Sequence, residues 1–337
     1  MSQSAPAPAT PQEHILGVVT AFWQSRALAV AAELELADLV ADGPVLVDIL
    51  AATTKTDALS LFRVMRALES IGIFTQVSPR VFANTPTSEV LRKNVPGSVW
   101  ALVRLQLSTD FGKRYEAWAD LLGSIRTGKS AYDRVNGYSL WQFLRSNPDK
   151  ATIFNEAMRS YGAIVTPAVT GACDWSRFPV IADIGGGIGS QLVDIVNAYP
   201  SCRGILFDQP EVVATAIPHD RIERTGGDFF KTVPPGADAY ILRLVIHDWA
   251  DSEASAILTS IRRVIKPDAR LMLMENVLPD TPEFAFGKWG DLLMLIMSGG
   301  RERTAAEYGE LYAHTGFELQ EIIPTPSQLS IIIGRPK

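Results

Sequence analysis

Of the four histidines in the 337 residues, only His247 stands among groups that would put an imidazole to chemical use. It follows the apolar run Asp238–Val245, DAYILRLV, which reads as a strand. His247 therefore falls at a strand's carboxyl end, where ligands and reactive groups collect in open α/β sheets. Glu275 closes the next such run, LMLME, and would lie beside it. A carboxylate there can hold one ring nitrogen and leave the other free to take a proton. Glu302, in the stretch GGRERT, opens a helical pattern. It is either a second support for the ring or an ordinary acid at a helix N-terminus. His14, His219 and His314 have no such setting. No serine occupies a nucleophile elbow, and no set of His, Cys and Asp has zinc spacing, so no metal ligand is assigned.

A second group of residues suits a nucleotide. Val180–Ser190, VIADIGGGIGS, is a short apolar run with Asp183 near its end, then Gly185, Gly186, Gly187 and Gly189. Apolar residues at helical spacing follow from Gln191 to Val196. Strand, glycine turn and helix open a nucleotide-binding βαβ unit, because glycine permits unusual φ values and lets a ligand touch the backbone. Asp208 ends the next strand pattern, about twenty residues past the glycines, where a carboxylate can accept both hydroxyls of a ribose. Asp228 and Phe229, in GGDFF, are placed to grip and cover an adenine ring. A dinucleotide would want G-x-G-x-x-G/A after a first strand, whereas here Ser190 holds the last position, mid-chain. S-adenosylmethionine has no pyrophosphate and asks only for the ribose acid, the glycines and the adenine clasp.

The elements that must position these groups follow from periodicity. Residues 1–13 are Pro/Ala-rich and read as a disordered tail. A helical pattern runs from Ile15 to Val40 and breaks at Asp42-Gly43-Pro44. Two helices, Val47–Ala52 and Asp57–Ile71, precede two short strands around Ser78-Pro79, a winged-helix pattern. Lys55, Arg63 and Arg66 offer too few cations for useful phosphate binding, and the bulky apolar content of Ile15–Leu39 favours a dimer interface. Residues 88–170 are mainly helical and rich in aromatics, including Trp100, Trp118, Tyr138 and Trp141. These are either core or a roof over a ligand. Alternating strands and helices then lead to a terminal strand pair, Glu318–Ile323 and Leu329–Gly334, with Asp251 as the N-cap of the helix after His247. The expected organisation is a tail (1–13), a winged-helix-like dimerisation domain (14–105), a helical substrate-pocket segment (106–170) and a Rossmann-like doubly wound α/β sheet (171–337).

Composition sets limits on partners. A net charge of −6 and a pI near 5.4 argue against nucleic acid. The chain shows no signal-peptide pattern and no apolar run read as long enough for a bilayer, so no membrane partner is expected. Cys173 and Cys202 are the only cysteines, which suits a reducing compartment and a cytoplasmic location.

From about Ile15 onward the chain resembles the class I S-adenosylmethionine-dependent O-methyltransferases of the caffeate, hydroxyindole and bacterial polyketide/phenazine type. The resemblance lies in ADIGGGIGS, FDQPEVV, GGDFF, VIHDWAD, MENVLP and GGRERTAAEY. It implies that Gly185, Asp208, Asp228 and Phe229 hold S-adenosyl-L-methionine. It places Arg243 near the cofactor's methionine end and Met158, in FNEAM, beside the sulfur. It also implies that His247 is the general base oriented by Glu275 and Glu302, that the acceptor is a small hydroxylated aromatic, and that the winged-helix region makes a homodimer. Leu244 stands where plant members often have Trp. Relatives of this fold that have lost methyl transfer perform hydroxylation, decarboxylation or pericyclic chemistry, and a ligand-sensing regulator is a further alternative.

Overall fold

A computed structural model describes residues Thr10–Lys337. The chain divides into two compact units, the first ending at Phe111 and the second spanning Gly112–Lys337; the expected division was at 105/106.

The first unit opens with α1 (Pro11–Glu33), fixed at its start by a capping box in which Thr10 and Glu13 exchange side-chain and backbone hydrogen bonds. The helix thus begins inside the stretch read as a tail; residues 1–9 of that stretch lie outside the described residues. The single helical run expected to Val40 is in fact two helices. Glu35 takes a left-handed conformation, φ 55°, and the chain restarts as α2 (Leu36–Leu39). There follow β1 (Val45–Leu46), α3 (Val47–Thr54), α4 (Ala58–Glu69), β2 (Phe74–Ser78), β3 (Val81–Asn84), α5 (Pro86–Glu89) and α6 (Trp100–Leu107). The three strands pair antiparallel in the order β1-β3-β2, completing the wing. Leu61, Met65 and Leu68 line one face of α4 and are buried with Leu36, Leu50, Phe74 and Phe82.

The outer side of α1 is different. Ile15, Leu16, Val18, Val19, Phe22 and Trp23 fall at i, i+1, i+3, i+4, i+7 and i+8, and each is more than half exposed. Among the described residues α1 is also long and apolar enough to cross a membrane by length and composition. This length is hidden in the sequence because Thr20, Gln24, Ser25 and Arg26 interrupt the apolar letters without outweighing them.

The second unit begins with five helices: α7 (Arg114–Ala119), α8 (Leu121–Thr127), α9 (Ala131–Asn136), α10 (Leu140–Ser146) and α11 (Pro148–Ala172). The helix expected over 115–125 is broken at Asp120, which caps both pieces. The sheet comprises β4 (Val180–Ile184), β5 (Arg203–Asp208), β6 (Ile222–Gly226), β7 (Ala239–Arg243) and β8 (Arg270–Glu275), then β11 (Phe317–Pro324) and β12 (Ser330–Pro336). Its order is β11-β12-β8-β7-β4-β5-β6, and only β12 runs against the others. Between β8 and β11 lie two short strands, β9 (Val277–Leu278) and β10 (Arg303–Thr304), which pair with each other in parallel. Helices α12 (Ser190–Ala198), α13 (Pro210–Val213), α14 (Asp251–Arg262), α15 (Phe286–Met297) and α16 (Ala305–His314) complete the unit.

Alternation along the central strands sorts side chains between two cores. Ala182, Ile184, Leu242 and Leu273 pack with Ile257, Leu258 and Ile261 of α14 and with Tyr308 and Tyr312 of α16. Ile181, Ile241, Met272 and Met274 pack with Val165 and Val169 of α11 and Ile195 of α12. Covering on both faces explains why β4, β7 and β8 read as continuous apolar runs. Strand order reverses about β4, between β5 and β7, so a crevice opens at the carboxyl ends of these three strands.

Candidate active site

Three elements close on the crevice from below. The turn after β4 carries positive φ at Gly185 (70°), Gly187 (60°) and Gly189 (85°). A Cβ on Gly185 would approach Val245 Cγ2 to 2.9 Å, while one on Gly187 would meet nothing within 4 Å. The first glycine is thus needed for packing and the second leaves backbone open to a ligand. The amide of Gly187 donates to Asp208 Oδ2 at 2.8 Å, and the amide of Gln209 donates to Oδ1 at 2.7 Å. Two backbone donors therefore fix the carboxylate beside the turn and leave lone pairs for a diol. Burial raises the Asp208 pKa, against these two bonds. Phe229 reaches the same turn, its Cε1 being 3.5 Å from the Cβ position of Gly185. Asp228 is exposed; its Oδ1 accepts from the amide of Phe230 at 3.0 Å, and its Oδ2 pairs with Lys231 at 3.3 Å.

The period of the strands puts Asp183 and Arg243 on the face covered by α11. Asp183 is 1% exposed, and neither of its oxygens has a hydrogen-bond partner among the described residues. Burial pushes its pKa up to about 7, with Arg243 opposing. Arg243 Nη1 donates to Thr166 Oγ1 at 3.0 Å, and its guanidinium lies where a side chain on Gly162 would begin, 3.1 Å from that Cβ position. Gly162 is what lets α11 come down on a buried arginine. Met158 lies one helical turn earlier on α11 and is half-buried. Tyr161 accepts a hydrogen bond from Gln328. Its pKa is pushed up to about 12, chiefly by burial, with Glu302 and Glu275 adding to the effect and Arg243 opposing it.

On the other side of β7 stand the histidine and its acids. Leu244 is left-handed, φ 55°, and turns the chain out of the strand into a short 3-10 segment, Ile246–Asp248. Glu275 Oε1 accepts the amides of Val245 (3.0 Å) and Ile246 (2.8 Å), while Oε2 faces His247 Nδ1 at 3.8 Å. Glu302 Oε1 lies 2.9 Å from His247 Nδ1 and also accepts from Asn276 Nδ2 at 2.9 Å. Because a carboxylate accepts, Nδ1 carries the hydrogen and Nε2 is left for a ligand. Asp248 Oδ1 is 4.0 Å from Nε2. Burial opposes a charge on His247, but Glu275, the Glu302 bond and Asp248 outweigh it and push the pKa up to about 10. Burial also raises Glu275, to about 7. The cluster as a whole therefore binds a proton more firmly than its separate groups would. The ligand atoms of His247, Glu275 and Glu302 fall within 4.8 Å of one another, a grouping that a metal ion could also occupy.

Two expectations about this region are corrected. Glu302 does not open a helix: it precedes β10, and Thr304 is the N-cap of α16. Asp251 is not an N-cap but the first residue of α14, its carboxylate being drawn to Arg303 at 2.7 Å. The aromatic alternatives resolve in part. Trp141 stacks on Trp249 with centroids 6.4 Å apart, and Trp249 meets Phe230 edge-on at 4.8 Å, so a wall of rings joins α10 to the Phe229 turn. Asp183, Tyr161, Asn276 and Asp248 were not singled out from sequence as site residues. A charge inside the run VIADI was the one available signal, pointing to Asp183.

An O-methyltransferase domain model matches residues 118–318, and an O-methyltransferase dimerisation domain model matches 16–94. The chain belongs to this O-methyltransferase family and is an S-adenosylmethionine-dependent enzyme of it. More particularly, it is 42% identical over 344 residues to phenazine O-methyltransferase PhzM of Lysobacter antibioticus, covering 100% of both chains. Its structure is similar to that of human N-acetylserotonin methyltransferase in complex with SAM, with a TM-score of 0.89 and 27% identity over 99% of each chain. It is also similar to an O-methyltransferase from neocarzinostatin biosynthesis in complex with SAM and 2-hydroxy-5-methyl naphthoic acid, with a TM-score of 0.83 and 28% identity over 98% of this chain and 100% of that one.

Proposed function

We propose that the protein transfers a methyl group from S-adenosyl-L-methionine to a phenolic hydroxyl of a small aromatic acceptor, with His247 as the general base. The observation that carries this reading is the His247 ring, tied through Nδ1 to Glu302 with Glu275 behind it, at the strand edge next to the glycine turn. Asp208, Gly185, Phe229 and Asp228 would hold the adenosine part, and Arg243 and Met158 would take its amino-acid and sulfur end; the Asp208 carboxylate fixed beside the glycine turn supports this reading. When bound, the cofactor supplies an electrophilic methyl on a sulfonium cation.

The chain's own groups do the rest. A neutral phenol, pKa about 10, is a poor nucleophile near neutrality. Nε2 accepts its proton as the oxygen attacks, while Nδ1–H stays on Glu302. The imidazolium that forms sits among carboxylates that favour it, and most of the acceleration comes from positioning, with the base adding roughly 10²–10⁴-fold. The ring must first be neutral. His247 would hold its resting proton less firmly with a sulfonium cation nearby, since like charges disfavour the charged form.

One relative is named a phenazine O-methyltransferase, one similar structure is an N-acetylserotonin methyltransferase and another holds 2-hydroxy-5-methyl naphthoic acid, which supports a polycyclic or bicyclic aromatic acceptor in secondary metabolism here. The exposed apolar stripe of α1 within the dimerisation match supports a homodimer formed by the first unit. Cys173 and Cys202 are both free thiols, in keeping with a cytoplasmic site of action. The direct test is His247→Ala, assayed with labelled cofactor on a panel of hydroxylated aromatics. Cofactor binding should persist by calorimetry while turnover falls by 10²–10⁴-fold. Parent-rate methylation by the variant would overturn the base assignment, and a product that gains no methyl mass would overturn the transfer.

A further inference from the structure

The GGRERT stretch carries a second charged residue beside Glu302 whose surroundings the proposed chemistry does not use. Arg303 is 1% exposed, among the largest fully buried side chains described. Its guanidinium is spread over the backbone that bears His247. Nη1 donates to Ile246 O at 3.3 Å, and Nη2 donates to Trp249 O at 3.1 Å. The same group is held by Asp251 Oδ1, 2.7 Å from Nη2 and 3.1 Å from Nε, and Nη1 also donates to Arg301 O at 3.2 Å. Residues on either side of His247 are thus pinned by one fork, whose planar donors satisfy carbonyls in fixed directions that an ammonium cannot reproduce. The grip continues along the chain. The amide of Arg301 donates to His247 O at 2.9 Å, and a Cβ on Gly300 would lie 2.1 Å from that oxygen, so only glycine lets this segment come so close.

From this geometry we infer that Arg303 is a positioning residue for proton transfer: the segment entering β10 holds His247 twice, Glu302 by the ring and Arg303, the first residue of β10, by the backbone, and the second hold fixes where Nε2 points. The inference rests on the reading of His247 as base, and it makes a prediction that a general packing role does not. Loss of the fork should disturb the imidazole first and the cofactor end little, because none of the Arg303 partners belongs to the glycine turn, Asp208 or Arg243, and Trp249, whose ring meets Phe229, is held by its carbonyl only.

The test uses the full-length protein with S-adenosylhomocysteine bound, in parent, Arg303→Lys, Asp251→Asn and His247→Ala forms. Histidine ring signals are followed by NMR from pH 6 to 11, with His247→Ala giving the assignment. Arg303→Lys should lower the His247 midpoint from its raised value toward the ordinary 6.5 and shift its resonance, while the cofactor dissociation constant, by calorimetry, stays within about threefold. Asp251→Asn, which leaves the guanidinium in place but loosens its anchor, should move the signal the same way by less. With 1-hydroxyphenazine as the probe acceptor, the Lys variant should lose about 10- to 100-fold in kcat with little change in KM, and the double variant with His247→Ala should lose no more than His247→Ala alone. An unmoved His247 titration in Arg303→Lys, or an equal loss of cofactor affinity, would sink the inference. Full activity of His247→Ala would instead remove the base reading on which it rests, a separate outcome.

Discussion

At the scale of single residues, two buried acid groups behave differently for reasons that the surroundings supply. His247 is held protonated up to about 10 by Glu275, Glu302 and Asp248, against burial. A base must be neutral to act, so kcat/KM, which reports the free enzyme, should climb as pH rises from 6 toward 10, and His247→Ala should flatten that limb; a pH-independent kcat/KM in the parent enzyme contradicts the scheme. The same group acts on stability in the opposite sense. Its folded pKa lies above the ordinary 6.5, so its contribution is complete below about 6.5 and is lost as pH passes through about 10. Melting temperature should therefore decline over the range in which activity rises. Asp183 loses stability in the same direction with pH but for another cause, since burial rather than a charged partner raises it. Burial lifts it to about 7 and its oxygens have no donors, so ionising it costs the fold stability as pH rises from about 4 through 7. A Cβ on Gly186 would sit 2.6 Å from Asp183 Oδ2, which places the carboxylate directly under the glycine turn. Asp183→Asn should therefore leave the melting temperature at pH 8 no lower than the parent's, yet weaken S-adenosylhomocysteine binding by tenfold or more in calorimetry. Retained affinity would show that the carboxylate is only a structural remnant.

At the scale of elements, the sequence was informative where period and chemistry coincide. The glycine turn, β4, β5, β7 and β8 were all legible because strands covered on both faces have apolar interiors and carry a charged residue at or near the carboxyl end, Asp183, Asp208, Arg243 and Glu275. Gly185 needs its positive φ as well as the absence of a side chain, since Val245 crowds the Cβ position at 2.9 Å. Gly185→Ala should cost about 1–2 kcal/mol in denaturant unfolding and displace the turn enough to weaken cofactor binding. What periodicity did not supply is contact across the chain. Glu302 reaches His247 from 55 positions away, and Asp251 is diverted from capping because Arg303 lies beside it. Short breaks were lost for a similar reason. Glu35 interrupts a helix with a residue that is not a helix breaker, and Asp120, a residue type that favours helix starts, is masked by apolar letters at helical spacing on both sides. The resemblance to a known family named His247, Glu275 and Glu302 together, whereas residues alone left Glu302 open between support and helix charge.

For the whole molecule, the stripe on α1 is the feature that most affects behaviour in solution. Six large apolar side chains, each more than half exposed on one stripe, are the kind of patch that marks an interaction surface. Phe22→Glu combined with Trp23→Glu should convert a dimer of twice 36.7 kDa into monomer in sedimentation velocity, and a parent protein already monomeric at micromolar concentration would remove the homodimer from the scheme.

The reversed direction of β12 has a practical consequence. Ser330 pairs with Glu275 at the reacting edge of the sheet, and Gly334 pairs with Leu271 near the other. Lys337, whose amide is tied to Gly316 O at 2.9 Å, therefore emerges on the side of the sheet away from the imidazole. A dye or a bead linked at that lysine is carried at the far end of the catalytic unit, so immobilised enzyme should keep its sheet's open crevice turned toward the solution.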